Sequence, residues 1–170
     1  MKNITKILSE EHQNILKVIE SMLSECDSLE KGKELDRTFF EKAIEFIRNY
    51  ADTFHHAKEE DVLFKIMLDN ADGMHYNPIP VMLHEHDLGR NFVSSMVIGL
   101  EGNDTKLLIE NAREYGFLLR DHIYKEDNIL YPMAEEAVSE EDKERVLQLY
   151  DEVGAGQNTH AGLLQYFGLS

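Results

Sequence analysis

The hexapeptide His55-His56-Ala57-Lys58-Glu59-Glu60 returns in near copy as His122-Ile123-Tyr124-Lys125-Glu126-Asp127, and both read His-x-x-Lys-Glu. On a helix, side chains four positions apart stand one above the other. His55 with Glu59, and His122 with Glu126, therefore each pair an imidazole with a carboxylate on one face. Such a pair can chelate a metal ion. The likeness continues downstream, with Asp61-Val62-Leu63-Phe64 against Asn128-Ile129-Leu130-Tyr131, and points to a duplicated structural unit.

The elements that must carry these pairs are helices. The 170 residues are 42% apolar and 29% charged, with three prolines, no tryptophan and long 3.6-period stretches, which fits one all-α domain. A first helix from about Ile4 to Leu29 has the inward stripe Ile4, Ile7, Leu8, Ile15, Val18, Ile19, Met22 and Leu23, with His12 inside it. Asp36 is expected to cap a second helix that runs to about Asn70 and carries His55 and Glu59 inward. A third, from about Pro80 to Leu100, turns His86 inward and His84 outward. A fourth, capped by Asp104 or Thr105, carries His122 and Glu126 on a stripe that includes Ile129 and Met133. Pro132 is expected to kink or end it. Ser139-Glu140-Glu141-Asp142 resembles a capping box for a short helix to about Val153, and after the Gly154-Ala155-Gly156 break Ala161 to Phe167 forms a last amphipathic turn or two. The arrangement expected is an antiparallel up-down-up-down four-helix bundle over residues 1–137, with 138–170 as a C-terminal helical extension packed on it.

A formal charge of −16 argues against nucleic acid and anionic membrane surfaces as partners. The single cysteine, Cys26, forms no internal disulfide and is expected to be buried. The N-terminal stretch has no apolar signal core, so the cytoplasm is the expected compartment.

The inward polar residues are few and of one kind: His12, His55, Glu59, His86, His122 and Glu126. A lone histidine on an apolar face is usually a packed core residue. Two buried carboxylates, each beside an imidazole, call for a compensating cation. The nitrogen and oxygen donor set suits iron, with zinc or manganese as substitutes, and suits calcium or magnesium poorly. Six ligands overfill one tetrahedral zinc site, which favours two ions.

These residues carry a family resemblance. Glu11-His12, His55-His56-x-x-Glu59-Glu60-x-x-Leu63-Phe64, Glu85-His86 and His122-x-x-x-Glu126-x-x-x-Leu130-Tyr131-Pro132 together resemble the hemerythrin-like, or HHE cation-binding, proteins, over about Leu8 to Met133. The resemblance implies a non-haem di-iron centre, oxo- or hydroxo-bridged, with Glu59 and Glu126 as bridging carboxylates. Oxygen-carrying members have a fifth histidine one turn before the one matching His86, and here that position is Met82. Four imidazoles, two bridging carboxylates and a bridging oxo group fill roughly ten of about twelve positions on two six-coordinate irons, leaving about one open on each. This points away from reversible oxygen carriage. It points toward members associated with iron-sulfur repair, redox sensing, and the handling of nitric oxide or peroxide. On this count, Met82→His is expected to close one position.

Other residues have two readings each. His56 and Glu60 are either a surface pair on the helix flank or partners that orient a ligand histidine. Tyr115 is either core packing or a hydrogen-bond donor to a bound ligand. His160 is a tail residue or folds back as the missing ligand. His75 and His84 are expected at the surface, and Lys58 and Lys125 to screen acidic helix flanks. Three functions compete: a di-iron module that binds or reacts with oxygen, nitric oxide or peroxide in sensing, scavenging or repair; a metal store or oxygen-binding protein without redox turnover; and a helical interaction module. No catalytic residue is assigned by any of them.

Overall fold

In the computed structural model, residues 1–155 and 160–169 are described, and every regular element among them is helical. The first span is α1 (Lys6–Glu30). The second is continuous from Arg37 to Asp69: α2 (Arg37–Phe46), a π-helical stretch Ile47–His56, a π turn Glu59–Leu63, and α3 (Phe64–Asp69). The third is α4 (Ile79–Glu101). The fourth joins α5 (Thr105–Lys125), a π turn Glu126–Leu130 and α6 (Tyr131–Ala137), and is followed by α7 (Glu140–Gly154) and α8 (His160–Tyr166). Of the expected glycine break, Gly154 ends α7 and Gly156 lies outside the described residues.

The helix starts follow local chemistry. The side chains of Asp36, Asp104 and Ser139 accept hydrogen bonds from the backbone N–H groups of Phe39 (3.0 Å), Leu107 (3.0 Å) and Asp142 (3.1 Å), satisfying donors that a first turn leaves free. Thr5, which precedes α1, does not cap it with its own side chain. Instead, Glu135 of α6 accepts from the N–H groups of Ile4 (2.8 Å) and Thr5 (2.9 Å).

Pro132 does not end the fourth span. A π turn precedes it, in which the N–H of Tyr131 bonds the carbonyl of Glu126, and the helix continues to Ala137. The same bond recurs in the other repeat, from the N–H of Phe64 to the carbonyl of Glu59. Each π turn inserts one residue into the helical phase. That brings Tyr131 into the core beside Leu130, whose inward position was expected, and leaves Ile129 exposed, against the uninterrupted stripe expected from the sequence. Ile7 also faces outward.

The core falls into two apolar clusters. One gathers Ile15, Met22, Phe40, Phe46, Val93 and Leu108, and the other Ile4, Leu8, Leu63, Met67, Met82 and Leu130. Between the two sets, on every one of the four spans, lies the polar group: His12 on the first, His55 and Glu59 on the second, His86 on the third, His122 and Glu126 on the fourth. α7 contributes Val146 and Tyr150 to the second cluster, and α8 contributes Leu163 to the first. No helix among the described residues is long and apolar enough to cross a membrane.

Candidate metal centre

All six inward residues are brought together and are at most 2% exposed. His12, His55, Glu59 and Glu126 offer ligand atoms that lie within 4.8 Å of one another, and a second such set is His56, Glu59, His86 and His122. Glu59 belongs to both. Glu126 reaches both as well, with Oε2 at 3.1 Å from His12 Nε2 and Oε1 at 3.0 Å from His122 Nε2.

Each of the four histidines is held from behind. His12 Nδ1 donates to Asp127 (2.9 Å), His55 Nδ1 to Glu11 (2.8 Å), His86 Nδ1 to Glu60 (3.1 Å) and His122 Nδ1 to Glu85 (3.2 Å). A carboxylate on Nδ1 fixes the tautomer and leaves the Nε2 lone pair for an ion. The anchoring carboxylates are held in turn. Lys58 bonds Glu11, Lys125 bonds Glu85 (2.6 Å), Ser9 bonds Asp127 (2.8 Å) and Arg90 bonds Glu60. Lys58 and Lys125 therefore complete the anchors of His55 and His122, where the sequence suggested only screening of acidic flanks.

The anchors follow the duplication. The residue before each lone histidine, Glu11 or Glu85, serves the histidine of one repeat, and the residue after each motif glutamate, Glu60 or Asp127, serves the lone histidine. That placement had a sequence signal in the Glu-His doublets and in the acidic residue after each Glu. The aromatic residues follow it too: Tyr131 stacks on His12 (5.3 Å between centroids, 7°) and Phe64 on His86 (6.1 Å, 21°). The copies differ by one hydroxyl, which Tyr131 donates to Glu59 at 2.6 Å.

The electrostatics ask for a cation. Burial opposes a charge on His55, but the Glu59 carboxylate and the bond to Glu11 outweigh it and lift the imidazole to about 10. Against the same cost of burial, Glu126 and Glu85 lift His122 to about 9, and the carboxylates of Glu126, Glu59 and Glu60 lift His86 to about 11. Burial, then the facing Glu126, oppose ionisation of Glu59, yet His55 and His86 hold it below the usual carboxylate range. Burial likewise opposes Glu126, and His122 and His12 outweigh it. Protons on the imidazoles thus do what a metal ion does better, because they leave atoms unpartnered. Among the described residues, His55 Nε2, Glu59 Oε2 and both Glu126 oxygens are buried with no hydrogen bond. Buried polar atoms without partners are costly, and these four sit where a bound cation satisfies them. The residues fit the group.

His56 and Glu60 do not form a surface pair. His56 is 5% exposed, stacks on His86 at 3.7 Å and donates from Nδ1 to Asp52 (3.2 Å). Burial and the facing His86 keep it neutral, with its pKa lowered to about 4. The physical reason for its turn inward is the π-helical backbone ending at His56: more residues per turn bring successive side chains closer in angle than α-helical geometry allows. His75 and His84 are exposed, as expected. His160 folds back, but onto Tyr50 (5.4 Å) and Phe54 (4.9 Å), and joins neither ligand set. Tyr115 is buried and lines, with His56, His86, Gly89, Arg90 and His122, a cleft of about 180 Å³ that reaches the second set.

A helical domain with four anchored histidines around two shared carboxylates is a cation-binding protein of the hemerythrin type. The hemerythrin HHE cation binding domain matches residues 3–134, and the chain belongs to that family. No curated protein and no solved structure matches the chain.

Proposed function

We propose that the chain is a non-haem di-iron protein whose centre binds and reacts with a small ligand: oxygen, nitric oxide or peroxide. His12 and His55 would hold one iron and His86 and His122 the other, with Glu59 and Glu126 placed to reach both. When bound, the iron pair supplies open coordination positions and electrons. The protein's own groups orient the imidazoles through Nδ1, exclude bulk water with the apolar clusters, and hold the Glu59 carboxylate through the Tyr131 hydroxyl. The observation that carries the reading is the cleft lined by His86 and His122, which gives a molecule the size of oxygen, nitric oxide or peroxide a path to the centre. Zinc or manganese in the same site, serving as a metal buffer, is the alternative.

The order in which the four spans visit the two apolar clusters alternates, which supports an up-down-up-down bundle over residues 1–137 with 138–170 as an extension. The buried free thiol of Cys26 supports a reducing compartment, the cytoplasm, and the charge of −16 supports partners other than nucleic acid or anionic membrane.

Anaerobic purification, metal analysis and visible spectra after adding oxygen, nitric oxide or peroxide test the reading. About two irons per chain and a new charge-transfer band are expected. One zinc per chain after growth with iron supplied, or two irons with no spectral response to any of the three ligands, overturns it.

A further inference from the structure

We propose that His56 is itself a metal ligand, the third imidazole on the ion held by His86 and His122, and that it fills the position Met82 leaves vacant. This role presupposes the two-ion centre proposed above.

His56 is built like the other four. In each of those, a carboxylate takes Nδ1, a second donor fixes that carboxylate, and Nε2 is left to face inward. For His56 the carboxylate is Asp52, at 3.2 Å from Nδ1. Asp52 is clamped by Arg90, whose Nε lies 3.0 and 3.1 Å from its two oxygens and whose Nη2 lies 2.8 Å from Oδ1. The same guanidinium also bonds Glu60, the anchor of His86, so one side chain holds two neighbouring imidazoles in place. With Nδ1 taken, Nε2 is the nitrogen left for an ion, and His56 shares its 4.8 Å ligand set with Glu59, His86 and His122. None of the remaining three histidines has this construction: His75 and His84 are exposed, and the ring nitrogens of His160 have no hydrogen bond.

Met82 makes no competing claim. It is 3% exposed and packs in the apolar cluster with Ile79 and Leu130. The duplication shows that the extra imidazole serves one ion only, because the counterpart of His56 in the second repeat is Ile123, which lies in the other apolar cluster. A fifth imidazole brings the count to roughly eleven of about twelve positions, and the one left lies on the ion beside Tyr131, across the shared Glu59 from the imidazoles that line the cleft.

Titration of the metal-free protein with ferrous iron under anaerobic conditions tests this, with equilibrium dialysis counting the ions, Mössbauer spectra distinguishing them and circular dichroism checking helix content. His56→Ala is expected to bind the second iron at least about tenfold more weakly while keeping the first. Met82→His alone leaves both affinities unchanged, since the position it reaches is already filled, and Met82→His combined with His56→Ala restores the second iron. Unchanged binding of both irons by His56→Ala overturns the role of His56. So does a tighter second iron in Met82→His alone, a result that holds even if His56→Ala fails to fold. If the unmodified protein holds fewer than two irons, the two-ion reading fails, and the role of His56 with it.

Discussion

At the scale of single residues, the centre depends on anchors as much as on ligands. Glu85 is a partly buried carboxylate pulled below its usual range, against the cost of burial, by His122 and Lys125. Glu85→Gln keeps the shape but removes the charge that orients His122, so metal affinity should fall roughly 10–100-fold with little change in helix content. Lys125→Met should cost less affinity than Glu85→Gln, because it leaves the anchor itself in place; a competition titration against a chelator of known affinity ranks the two. The grouping of the six inward polar residues was legible, the two His-Glu pairs from their four-residue spacing and His12 and His86 from the apolar stripes around them. His56 was not, because its inward turn depends on a π-helical backbone that no hydrophobic period announces. Tyr131 was visible as a residue but not as a donor to Glu59, a contact made between the second and fourth spans. Cys26 gives a prediction of another kind. It is 0% exposed, and burial pushes its thiol up to about 11 from 9.0. A folded pKa above the unfolded one means stability that is intact below about pH 9 and is lost as pH rises toward 11, at no more than about 1.4 kcal/mol per pH unit. Cys26→Ala should therefore flatten the alkaline decline in urea midpoint, whatever it does to the midpoint at neutral pH.

At the scale of elements, starts and inward faces were readable and interruptions were not. Asp36, Asp104 and Ser139 cap the helices that their types foretold. The π turns at Glu59–Leu63 and Glu126–Leu130 arise at the same place in each repeat, next to the shared carboxylates, and a proline sits just past one of them where a sequence reading ends the helix. α4 and the start of α5 approach closely at Gly99. A Cβ on Gly99 would meet the backbone nitrogen of Leu108 at 2.8 Å and its Cα at 3.1 Å, and neither atom can swing aside. Gly99→Ala should thus destabilise the fold by about 1–3 kcal/mol, read as a lower urea midpoint. Gly162 is the control: a Cβ there meets nothing within 4 Å and α8 runs through it, so Gly162→Ala should be neutral or stabilise by up to about 1 kcal/mol. Equal effects at the two positions would mean that helix propensity, not the contact between α4 and α5, sets the cost.

At the scale of the whole molecule, a polar layer crosses the core and draws on all four spans, so losing the ions should weaken the protein as one unit. The ends are tied into the same unit. Glu135 of α6 accepts from the backbone of Ile4 and Thr5 and pairs with Lys143 of α7 (3.2 Å), linking the N-terminus, the fourth span and the extension. Without metal, the layer keeps its four Nδ1 anchors but leaves two facing carboxylates with imidazolium protons as their only compensation. A ligand present at a thousand times its dissociation constant stabilises the folded state by about 4 kcal/mol. For a chain of this size, chelating the metal should then lower the thermal midpoint by roughly 8–16 °C. Hydrogen exchange locates the effect: protection should fall together at His12, Glu59, His86 and Glu126, one position on each span, while the caps at Asp36 and Asp104 change less. If protection falls on only one pair of spans, a single ion is held between those two and the shared role of Glu59 and Glu126 is wrong. If the midpoint does not move, the anchors alone hold the layer together and the unpartnered atoms of Glu59 and Glu126 carry no metal.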